Sequence, residues 1–204
     1  MGILVDVRYK LPMDYRSRSF EEVYPIHLVR YILAGLFFLI LSIQVIFPKL
    51  SIPLIRLLVS AVSMVDFIAH EMGHVIFSFM GEFIGVLGGT LGQLFLPTVC
   101  LLLTVRRRQW FACGIFMFWI GQSLNQISTY IMDARTQQLK LFSPGLLLGG
   151  GNPIHDWHYL LDKTGLLWAD NAMGWMVNLA GFSFLIGAIL LMFYRAASTS
   201  PKIN

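Results

Sequence analysis

Long apolar runs separated by short polar segments dominate the pattern of this chain. Five runs are candidates to form membrane-spanning helices. They cover residues 29–47, 53–80, 91–105, 110–131 and 172–194. The pattern predicts an all-α polytopic membrane protein with about five transmembrane helices, and it leaves counts of four and six open.

The composition favours the same class of protein. Hydrophobic residues make up 56% of the 204 residues and charged residues only 13%, whereas soluble domains carry about 25% charged residues. The net charge of +4 is therefore interpreted as basic flanks at a lipid surface rather than as a nucleic-acid patch. We expect an integral, multi-pass protein of a bacterial inner membrane that contacts the lipid bilayer and binds no nucleic acid.

Four segments follow from this pattern. They are a polar N-terminal or interfacial segment (1–28), a membrane core (29–132), an extramembrane or re-entrant loop (133–170), and a last helix with its tail (171–204). The N-terminal residues have no apolar core of the signal-peptide type, so we expect the first membrane helix to direct insertion itself. Cys100 and Cys113 lie in apolar runs without metal-type spacing, which favours buried thiols.

A glycine-rich connector, GEFIGVLGG, is predicted after the second apolar run. The pairs Gly85/Gly89 and Gly88/Gly92 each have G-x-x-x-G spacing, which favours close helix packing. Alternatively, residues 84–104 dip into the membrane and return on the same side.

The orientation in the membrane depends on that alternative. Lysines and arginines collect on the cytoplasmic side of membrane proteins, which favours a cytoplasmic N-terminal segment. Five full spans would then place the cluster Arg106–Arg108 on the opposite side. A dip at 84–104 would remove this conflict.

The stretch VDFIAHEMGHVIFSFM, residues 65–80, carries ionisable groups within an apolar run. His70 and His74 lie about 40° apart on one helix face, so both imidazoles can bind one metal. Glu71 points about 100° away, where it can take a proton from a water without binding the metal. This H-E-x-x-H pattern is typical of zinc hydrolases, and Zn²⁺ is the expected cofactor. A cluster that only joins helices is the weaker interpretation, because ionisable groups in a membrane span are costly.

Two histidines leave a zinc ion one protein ligand short. The candidate third ligands are Asp133, at the end of the fourth apolar run, and His155 or Asp156 in GNPIHDWHYLL. A site without a third protein ligand also remains open. Asp66 lies one turn before His70, where it either accepts the second imidazole N–H or faces water at the membrane surface.

The sequence HDWH has two interpretations of its own. Either its residues line the site, or a Trp-flanked polar helix end anchors the chain at the interface. If they line the site, His155, His158 or Asn125 could donate to the oxyanion of a tetrahedral intermediate.

The H-E-M-G-H sequence within a membrane helix resembles the site-2 protease family of intramembrane zinc metalloproteases. The resemblance covers residues 60–135, including GGTLGQLFLP, which is similar to the small-residue helix that follows the family's first catalytic helix. It implies that His70 and His74 bind zinc and that Glu71 is the catalytic base.

In its second half, the resemblance depends on the spacing between two residues. The family brings its third ligand from an N-x-x-P-x-P-x-x-D-G segment, and Asn125 and Asp133 are spaced as its Asn and Asp. Asp133 would then be the third ligand, and Asn125 would lie near the substrate backbone. Ser128 and Tyr130 stand where that motif has prolines, and Ala134 replaces its glycine.

These observations predict a zinc metallopeptidase, an intramembrane endopeptidase that hydrolyses peptide bonds of membrane proteins. An extended substrate could pair with a backbone edge at residues 82–88, or these residues form a plain turn. The alternative function is a non-proteolytic metal-binding membrane protein that acts as a maturation factor or an assembly subunit. A proton- or ion-relaying carrier is disfavoured by the small size and the lack of repeats. The sequence leaves open whether the partner is a second copy, a larger membrane assembly or only the substrate.

Overall fold

A computed structural model describes residues 13–50, 52–139 and 155–198, with side chains from residue 26 onward. All regular structure in these ranges is helical, which confirms the predicted all-α class. The six α-helices are α1 (Met13–Ile46), α2 (Pro53–Phe77), α3 (Glu82–Arg106), α4 (Trp110–Met132), α5 (Asp156–Lys163) and α6 (Asp170–Ser198). Short 3₁₀ turns follow α2 at Ser78–Met80 and precede α6 at Leu167–Ala169.

Four helical segments are long and apolar enough to cross a membrane. They are Ile26–Ile46, Pro53–Met80, Glu82–Arg106 and Leu167–Ser198, so the protein belongs with the polytopic membrane proteins. α4 is not among them, although it carries no charged residue. Its polar side chains lie in its second half and include Gln122, Ser123 and Ser128, which are buried in the protein.

The first helix is longer than the sequence pattern indicated. α1 begins at Met13 and runs unbroken through Pro25. The predicted boundary between an N-terminal segment and the membrane core at residue 28 therefore falls inside one helix.

The core of the bundle forms where α1, α4 and α6 meet. Phe38 of α1 stacks on Phe118 of α4, with ring centroids 5.9 Å apart. Leu185 and Met192 of α6 complete this cluster and are almost fully buried. Lipid is as apolar as these side chains, so close van der Waals packing rather than exclusion of water holds the three helices together, and they form the frame of the fold. Cys113 is a buried free thiol, as predicted, and Cys100 is a free thiol that is partly exposed.

Glycines bring α2 and α3 into direct backbone contact. A Cβ at Gly88 would stand 2.6 Å from the Gly73 carbonyl oxygen, and one at Gly92 would stand 2.8 Å from the Gly73 Cα. Only glycine permits so close an approach. The packing interpretation of these glycines therefore agrees with the structure, and the alternative dip at 84–104 is wrong because α3 is continuous.

The glycine-rich connector is much shorter than the sequence predicted. Only Gly81, with a φ of 98°, separates the 3₁₀ turn from α3, which starts at Glu82. The proposed backbone edge at residues 82–88 is wrong for the same reason, because a helix already uses these backbone groups in its own hydrogen bonds.

Candidate metal centre

The imidazoles of His70 and His74 face each other on α2. Their Nε2 atoms are 3.1 Å apart, and the rings meet edge to face with centroids 4.7 Å apart. This confirms that the four-residue spacing places both side chains on one helix face. Both histidines are partly exposed, so they lie at the margin of the protein rather than deep in its core.

The helix α3 fixes the orientation of the pair. Nδ1–H of His74 donates to the Gly85 carbonyl oxygen at 2.9 Å, which leaves Nε2 as the ring atom that can bind a metal. Gly89 lies against the same rings, since a Cβ there would stand 2.6 Å from His74 Nε2 and 2.7 Å from His70 Cε1. The absence of a side chain at Gly89 therefore leaves the space that the imidazoles occupy.

Asp156, the first residue of α5, completes the group. Its Oδ2 lies 2.9 Å from His70 Nε2 and 3.2 Å from His74 Nε2. Three atoms that can act as acceptors thus converge, which requires a proton or a cation between them. Tetrahedral zinc with ligands at 2.0–2.1 Å separates those ligands by about 3.3 Å. The donor atoms are therefore spaced almost as the three protein ligands of a zinc ion, and they leave a fourth position for water or substrate.

Electrostatics favour the ionised form of Asp156. Burial raises the pKa of its carboxyl, but the hydrogen bonds from His70 and His74 outweigh burial and lower it below the usual value of 3.8. A carboxylate held ionised beside two imidazoles is a suitable ligand for a divalent cation.

The sequence HDWH places Asp156 by capping α5. Nδ1 of His155 accepts the His158 backbone N–H at 3.2 Å, which makes His155 the N-cap of the helix. His158 Nδ1–H donates to the Ala134 carbonyl oxygen at 2.8 Å. Both histidines therefore support α5 rather than join the metal group, and the choice of Asp156 among the three candidate third ligands follows from this arrangement.

Asp133 holds the turn that follows α4 and does not reach the imidazole pair. Its Oδ1 accepts from Thr136 Oγ1 at 2.6 Å and from the Gln138 N–H at 2.9 Å, and its Oδ2 accepts from the Leu139 N–H at 2.9 Å. Burial raises the pKa of this carboxyl, and these hydrogen bonds more than offset that effect and lower it. The structure therefore contradicts the expectation that Asp133 is the third ligand.

Asp133 nevertheless supports the site through His155. The His155 Nε2 lies 3.4 Å from Asp133 Oδ2, a polar contact without hydrogen-bond geometry. Burial of the His155 ring outweighs this contact and lowers its pKa. Asp133, which the Asn–Asp spacing singled out, therefore supports α5 through His155, the residue that precedes the candidate ligand Asp156.

Asn125 makes its described contacts away from the imidazoles. Its carbonyl oxygen accepts from Ser128 and Thr129 within α4, and its backbone nitrogen lies against Gly181 of α6. None of these contacts supports a role beside a substrate backbone.

Asp66 is buried and faces neither His70 nor water. Its Oδ1 accepts from Trp119 Nε1 at 2.6 Å and its Oδ2 accepts from Ser123 Oγ at 2.9 Å, both on α4. Only 1% of Asp66 is exposed, so both interpretations of this residue from the sequence are wrong. It holds α2 against α4 one turn before the first imidazole.

Glu71 and Tyr130 flank the metal group. Glu71 is half-buried and close enough to His74 and Tyr130 to interact electrostatically with both. The Tyr130 hydroxyl oxygen accepts the Asp156 backbone N–H at 3.3 Å, which leaves its own proton for another acceptor. Its ring lies on His155, with centroids 4.2 Å apart. Sequence reasoning treated Tyr130 only as a departure from a motif, and no signal in the sequence identified it as part of the site.

Comparison of the chain with protein-family models, with curated proteins and with solved structures gives no match.

Proposed function

We propose that this protein is a zinc-dependent hydrolase that cleaves peptide bonds at the membrane, an intramembrane endopeptidase similar to the site-2 proteases. The observation that carries the proposal is the convergence of His70, His74 and Asp156. Their donor atoms lie 2.9–3.2 Å apart, close to the spacing that zinc requires.

Zinc suits this donor set and the H-E-x-x-H spacing of its two histidines. Two imidazoles and one carboxylate form a three-ligand set of the kind found in catalytic zinc sites, which keep the fourth position open. When bound, the ion supplies Lewis acidity and lowers the pKa of a water to about 7.

The residues around the group match the roles that peptide hydrolysis needs. Glu71 adjoins His70 but is absent from the donor group, so it is free to take a proton from the attacking water. Tyr130 is the best placed oxyanion donor, because its hydroxyl oxygen accepts the backbone N–H of Asp156 and the hydroxyl retains a proton to donate. Asp156 keeps its carboxylate on both imidazoles and so fixes the site.

A membrane-protein substrate is favoured by the surroundings of the site. Neighbours of the two histidines on α2, including Met72, Val75 and Ile76, are at least half exposed and apolar. Such a surface contacts lipid or an apolar substrate segment. We further propose that the protein is multi-pass and resides in a bacterial inner membrane, because its basic residues and its apolar helices suit that location.

Metal content and cleavage test the proposal together. Purified wild-type protein is expected to bind one zinc ion, and Asp156→Ala is expected to lose it. The cleavage assay uses a panel of transmembrane peptides in detergent micelles and compares wild type with Glu71→Gln. Glu82→Gln serves as the matched control, because Glu82 lies at the start of α3 outside the metal group.

The outcomes separate the two functions. Cleavage that requires Glu71 but not Glu82 supports the peptidase. Zinc bound through the histidines, without cleavage that depends on Glu71, refutes the peptidase and favours a non-proteolytic metal-binding membrane protein.

A further inference from the structure

The direction of each helix assigns three basic regions to one end of the bundle. Arg30 of α1 lies 4.4 Å from the ring centroid of Phe111 near the start of α4, and Phe38 stacks on Phe118 about two helical turns further along both. α1 and α4 are therefore parallel. Residues 26–30 of α1 and the turn that follows Arg106 therefore lie at the same end of the bundle.

α6 runs the opposite way and returns to that end. Arg195 lies 5.6 Å from the ring centroid of Trp110, and a Cβ at Gly114 would stand 2.7 Å from Met192 Cε. At the other end of this pair, Gly174 packs against Ser128 and Met132. The basic end is hence formed by Arg30, Arg195 and the cluster Arg106–Arg108.

Most acidic residues with described side chains lie elsewhere. From residue 26 onward, where side chains are described, every acidic one belongs to the site-bearing end, except Asp66, which lies beside the middle of α4. Those at the site end are Glu71, Glu82, Asp133, Asp156, Asp162 and Asp170. The α1 residues before Arg30 include Asp14, Glu21 and Glu22 as well as Arg16 and Arg18. The net positive charge of this end fits an anionic lipid surface, since each Lys or Arg near such a surface contributes about 1 kcal/mol.

The segment that contains α2 begins at the site-bearing end. α1 is parallel to α4, so α1 ends there at Ile46, and α2 starts at Pro53. Seven Cα steps reach at most about 25 Å, less than the roughly 30 Å of a hydrocarbon core. The Leu50 N–H also donates to the Phe47 carbonyl oxygen at 2.9 Å, and this turn shortens the reach further.

The same helix also ends at that face. Its C-terminal half runs antiparallel to the first half of α3, with Gly73 on Gly88 and Ser78 beside Gly85. Its middle crosses the midpoint of α4, where the Val59 carbonyl oxygen accepts from Gln122 Nε2 at 3.1 Å. Arg56 in its first turn is exposed, which suits headgroups rather than the bilayer centre.

We propose that α1, α3, α4 and α6 cross the bilayer with the basic end against its more anionic leaflet, and that the segment from Phe47 to Gly81, which contains α2, begins and ends on the opposite, site-bearing side. Length and composition alone would count α2 and omit α4. The contacts reverse both assignments, because α4 buries its polar side chains against α2 and α6. Four crossings also place the N-terminal basic residues and Arg106–Arg108 on one side, as the distribution of positive charge requires.

Labelling of single cysteines tests this topology without any metal or activity. The parent protein carries Cys100→Ser and Cys113→Ala. Four variants each add one exposed cysteine: Lys49→Cys, Phe79→Cys, Thr164→Cys and Gln109→Cys. A membrane-impermeant maleimide is applied to right-side-out vesicles, to inverted vesicles and to detergent-solubilised protein of the same preparation.

The expected result is that the first three cysteines react only in right-side-out vesicles and Gln109→Cys only in inverted vesicles. Detergent must make all four reactive, so that a missing signal in vesicles reports sidedness. Leu50→Cys, also exposed, replaces Lys49→Cys if that variant does not fold. Reaction of positions 49 and 79 from opposite sides, or of position 109 from the same side as position 164, would overturn the proposal.

Discussion

Gly89→Ala is the sharpest test of the metal centre, because it adds one methyl group directly against both imidazoles. The new Cβ would stand 2.6 Å from His74 Nε2 and 2.7 Å from His70 Cε1. Ordinary contacts between such atoms begin at about 3.5 Å, so the rings must move by about 0.9 Å. Metal sites tolerate deviations of about 0.2 Å in ligand distance.

The displaced ligands should weaken zinc binding by about 10- to 100-fold, equivalent to about 1.4–2.8 kcal/mol. This lies in the range of about 1–3 kcal/mol for an overpacked side chain. Competition with a chelator of known affinity measures the dissociation constant, and the unfolding temperature of the metal-free proteins reports the fold separately. Gly85→Ala is the matched control on the same helix, because its Cβ would meet backbone atoms of Ser78 and Phe77, the nearest at 3.3 Å, and it keeps the carbonyl that binds His74. Unchanged zinc affinity in Gly89→Ala, with normal affinity in Gly85→Ala, would refute the assigned site.

The remaining predictions separate ligands from residues that support them. Asp156→Ala should abolish measurable zinc binding, whereas Asp133→Ala should weaken it only about 10- to 100-fold, as expected for a residue one contact removed from the ligand; equal losses in chelator competition would contradict the ligand assignment. Tyr130→Phe should lower kcat for peptide cleavage by about 10²-fold or more while zinc affinity stays within about threefold of wild type, and a fall in zinc affinity alone would mean that Tyr130 only holds Asp156. Asp66→Ala should lower the free energy of unfolding by about 1–3 kcal/mol, because Trp119 and Ser123 lose their acceptor, and a stability equal to wild type in detergent titration would exclude that role.

The sequence predicted the parts of this protein that depend on local periodicity. The apolar runs became helices, and the four-residue spacing brought His70 and His74 together because helix geometry alone determines which side chains share a face. Gly88 and Gly92 packed against α2 as their spacing indicated. In each case neighbouring residues carry all the information needed.

What the sequence could not predict depends on contacts between distant segments. Asp133 and Asp156 were both candidates, and only the placement of α5 decides between them. Asp133 satisfies its oxygens with the amides that follow α4, whereas Asp156 begins a helix capped by His155. Tyr130 gave no signal at all, because its role comes from the packing of its ring on His155.

Asp66 shows why the same helix carries both a buried network and a metal group. A carboxylate in a membrane protein is costly unless strong donors satisfy it, and Trp119 and Ser123 do so at 2.6 and 2.9 Å. Because these donors lie on α4, they determine how α2 is rotated about its axis. One turn later that rotation directs His70 towards Asp156 on α5, and a further turn directs His74 towards the Gly85 carbonyl. Of the contacts that hold α2 against α4, the Asp66 carboxylate lies nearest the imidazoles, so a loss of Asp66 should loosen both imidazoles together rather than either one alone.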